Sequence, residues 1–331
     1  MTITTVPPGV KPSRRLAGVV LVWLLVLPGL VWAVLRWFGW ERGFAVQLLA
    51  FTPYVAVWSV IAAVVALAFR KWLAGAVALI AVAILAVCVL PRALADRDRG
   101  PATGVAVRVM TANLFVGAAD PAAIVSLVRE NDVAALAVQE FTPQVRAGLS
   151  AAGLDSLLPY AALADEVGTT GSGVYSRYPI ADSGSQRGAG GNMQVHATIE
   201  PPGAGPLVVE SAHPLAPYAV AALGSWHDDL AAEPGADPAG PPRILLGDFN
   251  STLDHAALRR VVARGYRDAA DAVGRGLVAT WGPYQGRLIP PVTLDHVFVD
   301  KRIGVRDVRV HGVADSDHRS VIAELTVPAV S

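Results

Sequence analysis

Gly-Asp-Phe-Asn at 247–250, Leu-Asp-His at 294–296 and Ser-Asp-His at 316–318 each set a carboxylate beside an amide or an imidazole. Each follows, or nearly ends, a run that reads as a β-strand. Acids, amides and imidazoles gathered at strand ends are what metal-assisted attack of water on a phosphorus ester requires. Asp248 can orient or deprotonate a water. Asn250, two residues on and so on the same side of an extended chain, can donate to a phosphoryl oxygen. The competing reading of this string is an Asx turn that closes a strand. Asp295 and His318 suggest a carboxylate–imidazole pair in which the acid fixes the tautomer of the ring. His318 then stabilises phosphoryl charge or acts as general acid or base, and Asp317 faces a cation or the attacking water. His213, after an apolar run ending at Ser211, can donate to a phosphate oxygen, although a histidine before Pro214 also suits a structural role.

Two upstream residues extend the set. Glu140 ends a wholly apolar run over 133–138, where a carboxylate is either a metal ligand or satisfied by a structural partner. Asn113, just past another apolar run, is a turn residue or a second ligand to the same cation. Oxygen donors of this kind suit Mg²⁺ or Mn²⁺ better than Zn²⁺. The sequence carries no Cys/His zinc spacing, no phosphate-cradling Gly-Lys-Ser/Thr loop and no Gly-x-Ser-x-Gly elbow, which leaves attack by water rather than a covalent serine or cysteine route. The spacing does not choose between Asp248 and His318 as general base. His196, His227, His255 and His311 lack acidic company and read as surface or local hydrogen-bonding residues, and His296 should point away from Asp295 as a supporting residue.

These side chains need strands to hold them. Runs at 105–110, 133–138, 172–176, 193–199, 206–211, 243–247, 294–299, 305–310 and 320–326 read as strands, with helices near 120–131, 143–151, 216–232 and 254–263. Asp120-Pro121 is an N-cap followed by Pro at the first helical position. The Gly-rich tract Asp182–Asn192 reads as a surface loop. Strands interleaved with helices imply an α/β or α+β layered domain over 105–331.

The chain of 331 residues is 53% hydrophobic and 16% charged, with a mean hydropathy of +0.46. That is too apolar for one soluble domain. The excess lies in stretches over 16–38, 44–69 and 72–90, each long enough to cross a bilayer. A flexible N-terminus (1–15) would precede three transmembrane helices over 16–90, and a Pro/Gly and Arg/Asp linker (91–104) would follow them. No small-residue cleavage site marks the first stretch as a removable signal. The basic cluster Lys11, Arg14 and Arg15 favours an N-terminus inside, which three spans convert into a catalytic domain outside. Residues 1–91 hold seven basic side chains and one acid, which leaves 20 basic and 26 acidic in the remainder. An acidic domain is a poor match for a stable nucleic-acid partner, because phosphate neutralisation supplies most non-specific affinity. Cys88 is the only cysteine, so no intrachain disulfide exists.

Asn113, Gln139-Glu140, His213, Gly-Asp-Phe-Asn, Asp295 and Ser-Asp-His stand in the order of the endonuclease/exonuclease/phosphatase superfamily, and Ser172–Ile180 is similar to a core strand of that family. The resemblance implies a four-layered sandwich, two mainly antiparallel sheets flanked by helices. It also implies a Mg²⁺-dependent phosphohydrolase with Glu140 as the principal metal ligand helped by Asn113, and Asp248 positioning the nucleophilic water. Asn250 and His213 would contact phosphate, Asp295 would support His318, and Asp317 would serve a second metal or the water. Three spans before such a domain resemble the VanJ-type membrane proteins of actinomycetes, associated with teicoplanin resistance. That similarity implies a lipid-linked pyrophosphate substrate at the outer face of the cell membrane.

Overall fold

The computed structural model describes residues 13–283 and 288–330. The chain divides into two compact units, Met1–Phe38 with Thr52–Val89 and Gly39–Phe51 with Leu90–Ser331. Lys11 and most of the expected flexible N-terminus lie outside the described residues, and helix α1 (Ser13–Phe38) starts inside it. The apolar stretch expected as one helix over 44–69 is two, α2 (Ala45–Leu49) and α3 (Thr52–Ala68). Pro53 accounts for the new start, since a proline is accommodated in a first helical turn. Val46 and Leu49 are buried in the second unit, so the apolar character of 44–49 serves a protein core.

In the first unit, α3 and α4 (Trp72–Val89) are joined by a three-residue turn and so run antiparallel. Gly29 of α1 lies so close to α3 that a Cβ there would sit 2.4 Å from Ser59 Oγ. A small residue permits such close approach of two helices. Trp32 Nε1 donates to Thr52 Oγ1 (2.9 Å) and Trp58 Nε1 to the Leu25 carbonyl (3.1 Å), tying α1 to α3. Leu16–Phe38 and Trp72–Ala93 are long and apolar enough to cross a membrane, while α3, with 17 residues, is apolar but shorter.

The second unit is built on two six-stranded mixed sheets. The first has the order β11 (Gly304–Gly312), β12 (Arg319–Val327), β1 (Val105–Asn113), β2 (Ala135–Gln139), β4 (Ser172–Ser176), β3 (Tyr160–Ala164). The second runs β5 (Ile180–Arg187), β6 (Met193–Ile199), β7 (Leu207–Ala212), β8 (Arg243–Asp248), β10 (Asp295–Asp300), β9 (Tyr266–Asp268). Each sheet has one parallel pair, β1 with β2 and β7 with β8; the rest are antiparallel. Alternation along each strand sends one side chain inward and the next outward. Val107, Val109 and Ala137 therefore meet Val209, Ile244 and Leu246 between the sheets. Met110 and Leu136 face out under α5 (Pro121–Glu130) and α6 (Pro143–Ala151). On the opposite face, α8 (Leu223–Ala232) and α9 (Ala256–Val262) cover Leu245 and Phe298. The Asp120 carboxylate caps α5 through Ala122 N, as its sequence implies.

Three expectations change. Most of the tract 182–192 is not a loop, because 180–187 forms the edge strand β5, with most of its side chains exposed. It lacks an alternating apolar signal because an edge strand with a solvated face buries little. Strands β3 and β9 were hidden for similar reasons, the first half-exposed and the second only three residues long. The expected linker is in part packed, with Arg92 buried against Asp254 and Ala95 bridged to Val273.

Candidate active site

Pairing register brings the chemistry to one rim. Asn113 lies opposite Gln139 in the parallel β1–β2 pair, and Asp295 lies opposite Asp248 in the antiparallel β8–β10 pair. Asn113 Nδ2 donates to Asp248 Oδ2 at 3.0 Å and approaches Glu140 Oε1 at 3.3 Å, so one amide links the two sheets. Gly247 explains the close strand packing beneath, because a Cβ there would fall 1.8 Å from the Ala212 carbonyl oxygen. Glu140 (φ +52°) and Asn250 (φ +47°) both occupy the left-handed region, a strained conformation that clusters at functional sites.

The carboxylate of Asp248 is the focus. Its Oδ1 accepts from Asn250 N (2.8 Å), the Asx turn foreseen as the alternative reading. Asn250 therefore leaves the strand, and its amide donates to the Pro214 carbonyl (3.0 Å) rather than following the two-residue period. Asp248 Oδ2 faces His318 Nε2 at 3.5 Å and His213 Nε2 at 3.8 Å. His318 Nδ1 pairs with Asp295 Oδ2 at 2.9 Å, the carboxylate–imidazole pair expected. Glu140 Oε2 accepts from Val116 N (2.6 Å), and Asp317 Oδ2 accepts from Trp281 Nε1 (3.0 Å). Glu140, His213, Asp248, Asn250, Asp317 and His318 all line a single cleft of about 930 Å³, with Asn113 and Asp295 bonded directly behind.

Burial pulls the His318 imidazole down, but the Asp295 and Asp248 carboxylates and the hydrogen bond to Asp295 outweigh it and raise the ring to about 10. His318 is thus an imidazolium at neutral pH. Burial lowers His213, which stays neutral, and its Nδ1 has no protein partner. Burial raises Asp248, against the nearby His318 charge, and burial also raises Glu140, against its hydrogen bonds to Asn113 and Val116.

Four carboxylates, those of Glu140, Asp248, Asp295 and Asp317, face one imidazolium, and those of Asp248 and Asp295 are buried. A divalent cation relieves such an excess, and an oxygen donor set accepts one. Asp248, Asp295 and His318 offer ligand atoms within 4.8 Å of one another and can hold a metal. Protonated His318 cannot ligate, however, and offsets one of the two carboxylate charges in that trio; Glu140, with two N–H donors, and Asp317, with one, keep lone pairs for a cation.

Other sequence expectations separate. His296 points away from Asp295 into the core, with Nδ1 on Asp268 (2.6 Å) and Nε2 on the Ser251 carbonyl (3.0 Å). His255, expected at the surface or in local bonds, is buried and also reaches the distant Val46 carbonyl. Arg177, Arg187 and Arg319 engage Asp132, Glu166 and the Gly282 carbonyl respectively, and none of them lines the cleft. Residues with no role expected from the sequence also support the site. Gln139 accepts from Thr111 Oγ1 (3.1 Å) and donates to Ser211 Oγ (2.9 Å), a buried polar bridge between sheets. Asn192 donates to the His213 carbonyl and Asp229 accepts from Leu215 N, fixing the segment that carries His213. Of these, only Gln139, which closes the apolar run 133–138, carried a signal in the sequence.

Two facing mixed sheets, helices outside and a rim of acids and imidazoles define a phosphoesterase- or nuclease-type fold. Residues 110–318 match the Endonuclease/Exonuclease/phosphatase family, and the chain belongs to it. Members of this family typically hydrolyse phosphoester bonds with a divalent metal. Among solved structures, the fold is similar to an endonuclease/exonuclease/phosphatase from Beutenbergia cavernae (18% identity, TM-score 0.52, covering 67% of this chain and 72% of that one). It is also similar to a humanized D. rerio TDP2 (14%, 0.55, 67% and 99%) and to a truncated Caenorhabditis elegans TDP2 (14%, 0.53, 67% and 98%). No curated protein matches the chain.

Proposed function

We propose that this protein is a membrane-anchored, metal-dependent phosphohydrolase that cleaves a lipid-linked pyrophosphate or phosphoester outside the cell membrane. The observation that carries the reading is the composition of the cleft. Its acid and imidazole end opens beside Phe51, Phe115, Leu215, Tyr218, Trp281 and Ile289, and no Lys or Arg lines it among the described residues. A polyanionic nucleic acid would want cationic contacts there; a phosphate attached to hydrocarbon would not.

Glu140, with Asn113 and Asp317, would hold Mg²⁺ or Mn²⁺, and the cation would supply charge neutralisation at the phosphoryl oxygens. Asp248, raised by burial and open to the cleft, accepts the proton of the attacking water. His318, an imidazolium held by Asp295, donates to developing negative charge, and neutral His213 donates from Nε2. Asn250 braces the loop after His213 and faces the phosphate.

Connectivity supports three crossings. Gly39–Phe51 and Leu90–Ser331 form one unit, so the chain leaves it at Phe51 and returns at Leu90. On one side of a bilayer, α3 and α4 then cross together or not at all. At 1.5 Å per residue α3 spans about 26 Å, within the lower range of membrane helices. The basic N-terminal cluster favours an inside N-terminus and an outside catalytic domain. The same architecture motivates the similarity to VanJ-type proteins and a contribution to teicoplanin resistance.

Detergent-solubilised protein with Mg²⁺ should release phosphate from a prenyl pyrophosphate, and EDTA or Asp248→Ala should abolish release. Rapid nicking of plasmid DNA without lipid turnover would overturn the substrate. Tight binding of the lipid without turnover of any phosphoester would make the protein a binding module instead. A cysteine placed at Ser331 should react with an impermeant thiol reagent in intact cells, and protection would refute the external orientation.

A further inference from the structure

The loop between α1 and α3 is part of the catalytic unit. The Glu41 carboxylate accepts from Ala256 N and from Ala257 N (3.1 Å), capping the N-terminus of α9. His255 Nδ1 accepts from Thr252 N, so its Nε2 carries the proton and donates to the Val46 carbonyl at 2.8 Å. Val46 packs among Trp226, Phe249 and Leu253. Gln47 Nε2 donates to the Pro217 carbonyl at 2.7 Å, on the segment that follows His213. Four anchors, one charged, one aliphatic and two through side-chain N–H groups, are far more than a passive connector needs. They present Gln47, Ala50 and Phe51 to the cleft that holds Asp248 and His318.

We propose that Gly39–Phe51 is the hydrocarbon-binding wall of the active-site cleft, which receives the first carbons of the chain esterified to the scissile phosphate. This rests on the lipid-phosphate reading above. Phe51 and Ala50 face the chain from one side, and Leu215, Pro217 and Tyr218 from the other. The Gln47–Pro217 bond sets the width between them. With the phosphate at Asp248 the first carbons lie within the cleft, so their burial falls to these side chains. Part of the selectivity for chain length therefore resides in residues outside the family-matched region 110–318.

The test uses the full chain in detergent. A farnesyl pyrophosphate carrying benzophenone on its first isoprene unit is irradiated with the protein in EDTA, where no turnover is needed, and adducts are mapped by mass spectrometry. Adducts on 46–51 and 215–218 are expected; adducts confined to α1, α3 and α4 would overturn the wall. In parallel, Phe51→Ala and the milder Phe51→Leu are assayed on farnesyl and isopentenyl pyrophosphate with Mg²⁺. The ratio of kcat/KM between the two substrates should fall about tenfold for Ala and less for Leu, the size expected when apolar contact to a chain is lost. Hydrolysis with an unchanged ratio would sink the wall and leave the hydrolase standing. Wall adducts without turnover by the wild-type chain would do the reverse.

Discussion

Asp295→Asn isolates what a single buried charge does at this site. The substitution keeps shape and leaves the backbone bond from Asp295 N to Thr280 Oγ1 in place. It removes the negative charge that holds His318 Nδ1 at 2.9 Å. Lifting an imidazole from its ordinary 6.5 to about 10, against burial, amounts to about 5 kcal/mol in favour of the imidazolium. Asp295 supplies the larger Coulombic share and the hydrogen bond; Asp248, from 3.5 Å, and Asp317 supply the rest. With Asp295 neutral, the largest Coulombic cause and the charged hydrogen bond go while the burial penalty stays, which brings the ring down toward its ordinary 6.5. At pH 7.5 most of the imidazolium is lost, and the ring loses its tautomeric anchor. Together these should lower kcat about 100-fold, in line with other orienting carboxylates. The pH–rate profile is the sharper readout. Wild type should show no His318 titration between pH 6 and 9, whereas the variant should regain activity about tenfold between pH 8 and pH 6 as the ring protonates. A variant within threefold of wild type at pH 7.5, or one with no acid recovery, would refute the imidazolium role.

Glu41→Ala leaves the amides of Ala256 and Ala257 without their carboxylate and should cost about 1–3 kcal/mol, seen as a lower Tm of the full chain in detergent, with Glu41→Gln recovering part. Burial, then Glu210, raises Glu233 from 4.5 to about 8. The protonated folded form is thus favoured, so its stabilisation is complete below about pH 4.5 and disappears as pH rises through 8. Thermal melts of wild type should therefore fall between pH 5 and 9, and Glu233→Gln should flatten that slope and be the more stable protein at pH 9; parallel curves would exclude the effect. Gln139→Leu cuts the polar bridge between Thr111 and Ser211 and should lower the free energy of unfolding, measured by denaturant titration, by about 1–3 kcal/mol, with a loss of activity because Asn113 and Glu140 sit at the ends of the bridged strands.

The site was legible because its residues follow strongly apolar runs, and a strand end fixes which rim a side chain reaches even when the partner strand is unknown. Asp295 and His318 could be paired from their types alone. Asn250 was placed correctly at the cleft but by the wrong geometry, since a local bond from its own backbone to Asp248 overrode strand periodicity. Partial burial hid β3 and β5, whose side chains gave no alternation to detect. The most consequential miss was Ala45–Leu49. An apolar run beside a membrane helix looks the same whether lipid or a protein core receives it, and only the tertiary contacts of Val46 and His255 decide between them.

The bond from Glu41 to Ala256 joins residues 215 positions apart. During synthesis the capping carboxylate is made long before the helix it caps, and two apolar helices and most of both sheets are made in between. Closing a contact of such separation comes late, after shorter-range pairings have repaid their entropy. Until then the start of α9, the proton of His255 and the apolar surface awaiting Val46 have no permanent partners. Completion of the second unit thus waits on a segment delivered early and used last, and a chain whose helix α1 is misplaced would fail there, with its sheets already formed.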